Sequence, residues 1–99
     1  MDLIAFTEKI KGIVAQGATL SGTLKFMMDE GSVFVDTAQS PPLVTNLDQA
    51  ADCTIKASLE NINKLMNGDL NVMTAMMVGK LKVSGDLGVA MKVAQLVGK

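Results

Sequence analysis

The 99-residue sequence contains no histidine, no arginine, no tryptophan and no tyrosine, and only one cysteine, two prolines and three phenylalanines. Without histidine, imidazole metal sites and every histidine-dependent nucleophilic mechanism drop out, and one cysteine closes neither an internal disulfide nor a thiolate zinc site. No metal, no cofactor and no catalytic role are expected. The absence of arginine removes the bidentate clamp for phosphate or carboxylate, and a formal net charge of −1 offers nucleic acid no electrostatic footprint. Nucleic acid is not an expected partner. No uninterrupted apolar run approaches the ~18 residues of a membrane span. The amino terminus lacks the pattern of a signal peptide, and Leu96-Val97-Gly98-Lys99 is not a peroxisomal address. A cytoplasmic setting is the expectation.

What the chain has in surplus is apolar side chains: nine glycines bring the hydrophobic 48% to about 57%, above the ordinary ~45 to 50% counted the same way. Leu3, Phe6, Ile10, Ile13 and Val14 recur at helical spacing over residues 2 to 16, with Gly17 as a stop. From Leu20 to Met28 the period becomes two, and Gly22, Leu24, Phe26 and Met28 share a face with Leu20. Asp29-Glu30-Gly31 forms a turn into a second alternating run, Ser32 to Thr37, in which Val33 and Val35 oppose Phe34 and Asp36. Pro41-Pro42 interrupts, and Leu43 to Thr45 can add a short third strand.

Asp52 to Ala57 alternates again and predicts the next strand. Ser58 caps a helix bearing Leu59, Ile62, Leu65 and Met66, with Glu60 in its first turn and Asn67-Gly68 at its end. A short helix spans about Leu70 to Val78, Lys80 to Ser84 forms the last strand, and Gly85-Asp86 breaks it and caps a final helix over 87 to 97. That helix is apolar on almost every side and is expected to be largely covered. The residues predict a single α+β domain over 1–99, with helices over one face of a mainly antiparallel sheet.

Five of eight methionines (Met66, Met73, Met76, Met77 and Met91) fall in the last 34 residues, where they suit either an adaptable binding surface or ordinary core filling. Cys53 lies on an apolar strand face and reads as a buried structural thiol. Asp29-Glu30 and Asp48/Asp52 have no partner nucleophile and read as solvated carboxylates. Lys80 and Lys82 share the face opposite Leu81 and Val83, as the wet side of a strand or as contacts for an anionic head group or membrane. Gly22 either leaves room for a ligand or an approaching backbone, or marks a bulge.

Three strings, Ala-Asp-Cys-Thr-Ile at 51 to 55, Leu-Met-Asn-Gly at 65 to 68 and Gly-Lys-Leu-Lys-Val-Ser-Gly-Asp-Leu-Gly-Val-Ala-Met-Lys at 79 to 92, resemble the sterol carrier protein type-2 family in order and spacing. The likeness is strong over 51 to 97 and looser through Gly31 to Asp36 and Pro41-Pro42. It implies a twisted, mainly antiparallel five-stranded sheet covered on one face by helices and enclosing an apolar tunnel. Such a tunnel binds a sterol, fatty acid, acyl-CoA or other lipid without catalysis. By position, Ala75, Met76 and Met77 stand where that family commonly has alanine followed by two phenylalanines against the cavity. The expected cavity residues are Phe34, Ile55, Leu65, Met66, Met73, Met76, Met77, Leu87 and Met91, with the last helix as a movable cover. The expected partner is a lipid or fatty-acyl ligand, with transient membrane contact. A competing expectation is an interaction module whose last helix packs on a partner domain or in a homodimer.

Overall fold

The amphipathic start of the chain folds as α1 (Leu3–Ala15), capped by Asp2, whose Oδ1 accepts the Ala5 N–H at 2.8 Å. The computed structural model describes residues 2–16, 22–39 and 41–97, the last five of them by backbone alone. Gly17, Leu20 and Ser21, and the side chains of Val93, Ala94 and Leu96, therefore lie outside the described residues.

Strands β1 (Thr23–Met28) and β2 (Gly31–Asp36) form the expected hairpin, in register from Thr23 opposite Asp36 to Met28 opposite Gly31. Then β3 (Leu43–Thr45) pairs antiparallel with β2. Residues 46–52 cross back, so that β4 (Cys53–Lys56) joins the other side of β1, in parallel, and β5 (Lys82–Gly85) pairs antiparallel with β4. The sheet order is β3-β2-β1-β4-β5, a five-stranded mixed sheet in an α+β fold whose other three pairings are antiparallel.

Strand alternation sorts the sheet into two faces. Leu24, Phe26, Val33, Val35, Cys53 and Ile55 point to the core face and are buried. There α1 lays Phe6, Ile10 and Val14, one face at i, i+4 and i+8, against them, with Phe6 edge-on to Phe26 at 5.1 Å between ring centres. Asn46 ties α1 to the sheet: its side-chain amide donates to Thr7 Oγ1 at 3.0 Å and to Ser32 O at 3.1 Å.

The carboxyl half supplies α2 (Leu59–Met66), α3 (Val72–Met77) and α4 (Leu87–Val97). Ser58 Oγ accepts the Asn61 N–H at 3.1 Å and Asp86 Oδ1 accepts the Gly88 N–H at 2.8 Å, both at the expected caps. The cap of α3 is Asn71, whose Oδ1 takes the Met73 and Thr74 N–H groups, so the helix begins later than its apolar pattern suggests. Over its described side chains, residues 87–92, the last helix is covered on one side only. Val89 and Ala90 are buried against the sheet, while Leu87 and Met91, one turn apart on the other side, are exposed, because a helix on a sheet hides only the stripe it presents. Among the described residues no helix is long and apolar enough to cross a membrane.

Candidate functional site

An apolar cleft lies between the core face and the carboxyl-terminal helices. Phe26 of β1 and Ile55 of β4, paired in register, form its floor. Ile62, Leu65 and Met66 of α2, Val72 of α3, Leu81 just before β5, and Ala90 of α4 complete it. The local sequence explains the arrangement: Ile62 is followed at i+3 and i+4 by Leu65 and Met66, a spacing that brings all three to one helix face. Its free volume is only about 10 Å³, near the least that one water needs, so the protein's own side chains nearly fill it.

No titratable side chain lines this cleft. Among the described residues no group of three histidine, cysteine or acidic side chains is arranged to hold a metal ion. What such a lining offers is dispersion and the exclusion of water, suited to an apolar chain or ring system.

The nine expected cavity residues separate. Ile55, Leu65 and Met66 line the cleft, and Met76 is partly buried against the core beside it. Met73, Met77, Leu87 and Met91 are exposed, from 49% at Met91 to 85% at Met77. Phe34 is buried on the opposite face, in register with Lys25, on the side crossed by residues 46–52. The lining residues that sequence reasoning passed over are Phe26, Ile62, Val72, Leu81 and Ala90. Strand phase alone marks the difference at the aromatics, since Phe26 alternates with Lys25 and Met27, whereas Phe34 shares its face with Asp36.

Gly22 leaves its space to Asp52, since a Cβ there would stand 2.6 Å from Asp52 Oδ2. Asp52 is itself more than a solvated acid. Its Oδ2 accepts the Thr23 N–H at 3.0 Å, its own N–H donates to Thr23 Oγ1 at 2.8 Å, and its carbonyl accepts the Asp86 N–H at 2.8 Å. It thus joins the starts of β1 and β4 to the start of α4. Asp48 pairs at 2.8 Å with Lys25, whose side chain is only 12% exposed.

Cys53 is fully buried, and burial pushes its thiol pKa up; the nearby Asp86 carboxylate adds to the rise, and a backbone hydrogen bond with Ala90 opposes it. The native state therefore favours the neutral thiol. Its contribution to stability is full below the unfolded thiol's pKa of about 8.5 and is lost as pH climbs through the higher folded value. Native protein at pH 8 is expected to react with a thiol reagent only through unfolding, and Cys53→Ala is expected to flatten the alkaline limb of the stability curve. Equilibrium denaturation from pH 7 to 10 with both proteins checks this, and a wild-type thiol that reacts at the rate of a free thiol refutes it.

The SCP-2 sterol transfer family matches residues 6–98 of the chain. Sterol carrier protein 2 of Gallus gallus is 44% identical over 54 residues, which are 54% of this chain and 10% of that protein. The protein of the same name from Rattus norvegicus is 33% identical over 98 residues, covering 92% of this chain and 16% of that one. The chain thus spans a tenth to a sixth of the length of these curated relatives. The solution structure of palmitated SCP2L2 from Aedes aegypti superposes with a TM-score of 0.75 at 24% identity, over 100% of this chain and 96% of that one.

Proposed function

The chain belongs to the SCP-2 sterol transfer family, and from that premise we propose that the cleft beneath α2, α3 and α4 takes the apolar part of a lipid, which the protein binds or carries without catalysis. At the level of the family the function is lipid binding and transfer. The observation that carries the reading to this chain is the lining of the cleft, apolar throughout and roofed by three helices. The proposal extends to a single lipid-binding domain over 1–99, acting in the cytoplasm.

Because the cleft is nearly full, a ligand enters only as the roof moves. The least anchored helices are the ones to move: α3 buries one residue, Ala75, and the described side chains of α4 bury Val89 and Ala90. Met66 and Met76, unbranched and polarizable, can repack around the incoming chain. The proposed ligand-contacting set is the cleft lining with Met76, and Met73, Met77, Leu87 and Met91 come into contact as α3 and α4 shift; Phe34 stays outside it.

Native mass spectrometry of the purified protein, with displacement of a fluorescent fatty acid, tests the reading, and the palmitated relative makes palmitate the first competitor. Micromolar binding is expected. Ligand at 100 times its Kd adds about 2.7 kcal/mol, which for a domain of this size raises Tm by roughly 10 to 20 °C. Absence of both retained lipid and micromolar binding overturns it. A second reading, favoured by the exposure of Leu87 and Met91, is self-association through α4. Sedimentation showing a stable dimer that binds no lipid would support that reading instead.

A further inference from the structure

The side chains that a two-electron oxidant can reach in this protein are its methionines. The sequence has no tryptophan, tyrosine or histidine, and its one cysteine, Cys53, is fully buried. Five of the eight methionines, Met66, Met73, Met76, Met77 and Met91, stand on the three helices over the apolar cleft, and half of α3 is methionine. We propose that Met66 and Met76 are sites of reversible oxidation by a hydroperoxide, and that their sulfoxides turn off lipid binding. The inference rests on the lipid reading above and names a regulation of the same cleft.

Two observations carry it. The first is a gradient of access. Met77 is 85% exposed, Met73, one turn before it on α3, is 54% exposed, and Met91 on α4 is 49% exposed. Met66 and Met76 are partly buried, so a molecule as small as hydrogen peroxide meets them in the folded chain, but later. The second is where the inner pair sits. Met66 lines the cleft and Met76 packs against the core beside it. The other seven lining residues are phenylalanine, isoleucine, leucine, valine or alanine, and none of these has a side-chain hydrogen-bond donor. Met66 is thus both within reach of water and part of a wall that cannot satisfy a polar group.

In the reaction with hydrogen peroxide, a sulfur lone pair attacks one peroxide oxygen, an S–O bond forms and the O–O bond breaks. The proton of the transferred oxygen goes to the departing hydroxide, which leaves as water; sulfur loses two electrons and the peroxide gains two. The product replaces a flexible apolar side chain with a polar one. At Met73, Met77 and Met91 the new oxygen stays in water and does not disturb the fold. At Met66 it can turn to water while the cleft is unliganded, but a bound chain removes that water and leaves the oxygen without a donor. Affinity falls and the fold stands. Methionine sulfoxide reductases, one for each sulfoxide epimer, return the thioether.

The test exposes the purified protein to hydrogen peroxide, maps sulfoxides through time by peptide mass spectrometry, and titrates palmitate by calorimetry before and after, with melting curves alongside. Met77 is expected to react first, then Met73 and Met91, then Met66 and Met76. Protein oxidised at the inner pair is expected to bind palmitate about 30-fold more weakly, the loss for covering one polar group without a partner, and to keep a cooperative melting transition. Both epimer-specific reductases with dithiothreitol should restore the affinity. The Met66→Leu, Met76→Leu double variant, compared with its own untreated form, should lose less than about threefold. Untreated protein that binds no palmitate overturns the lipid reading, and the switch with it. A folded protein with Met66 and Met76 oxidised and its affinity unchanged overturns the switch and leaves the lipid reading standing. An equal loss in the double variant assigns the effect to other methionines and overturns the proposal, as does loss of the melting transition, which would make oxidation general damage.

Discussion

Gly85→Ala is expected to lower the melting temperature by roughly 20 to 30 °C, and to leave much of the protein unfolded at 37 °C. Gly85 has φ +89°, a conformation that costs a residue with a Cβ about 1 to 2 kcal/mol. The larger penalty is steric. Gly85 is paired with Cys53 across β4 and β5, and a Cβ on it would overlap the carbonyl of Asp52, which is backbone and has nowhere to retreat. The carbonyl would have to turn away from the Asp86 N–H it accepts at 2.8 Å, so the β4–β5 pairing and the entry to α4 would be disturbed together. These losses sum to about 4 kcal/mol, against a total of roughly 5 to 15 kcal/mol for a domain of this length, and each kcal/mol is worth about 4 to 8 °C. The control is Gly12→Ala, in mid-helix with open space at the Cβ, expected to gain about 0.5 to 1 kcal/mol. Thermal unfolding followed by circular dichroism decides the matter, and a Gly85→Ala protein melting within 5 °C of wild type would refute the argument.

The parts of the fold legible in the sequence were those fixed by local chemistry. Alternation at Leu24 and Phe26 and at Val33 and Val35 gives the core face, and Ser58 and Asp86 mark helix starts because a side-chain oxygen two or three residues upstream must satisfy free N–H groups. Alternation, however, tells which face a residue takes and not which strand lies alongside. The parallel neighbours β1 and β4 are brought together by residues 46–52, whose crossing is held by Lys25 with Asp48 and by Thr23 with Asp52, pairs 23 and 29 residues apart. No local pattern announces such contacts, which is why Asp52 looks like an idle acid in one dimension.

The candidate site shows the same division. Ile55, Leu65 and Met66 are legible from strand phase and helix spacing, whereas Val72 of α3, Leu81 at the entry to β5 and Ala90 of α4 reach the cleft only because these separate elements converge there. Methionine content alone was a poor guide, since Met73 and Met77 of α3 are exposed while Ala75 between them is buried. A six-residue helix turns one face to the core, and the small residue takes the close contact. The walls of the cleft are shared with the fold's core, and of the helices over it α2 buries three side chains, α3 one, and the described part of α4 two.

Met66→Glu is expected to weaken binding of a neutral lipid such as monooleoylglycerol by about 100-fold while the protein stays folded. Met66 lines the cleft but is only partly buried, so in the free protein the carboxylate can keep its oxygens in water. A bound chain takes that water away. Enclosing the carboxylate beside hydrocarbon, or protonating it to avoid doing so, costs several kcal/mol, of which about 2.7 kcal/mol already accounts for the 100-fold loss. Because protonation is the cheaper escape, affinity is expected to recover as pH falls toward 5, in the variant alone. Met66→Leu, similar in volume and apolar, is expected to bind within about fivefold of wild type. Titration of the three proteins at pH 7.5 and 5.0, with melting curves to establish folding, measures both effects. A folded Met66→Glu protein that binds the neutral lipid as tightly as wild type would show that the chain does not enter this cleft. The proposed site would then have to be sought elsewhere, and the exposed side of α4 would become the stronger candidate for what this protein contacts.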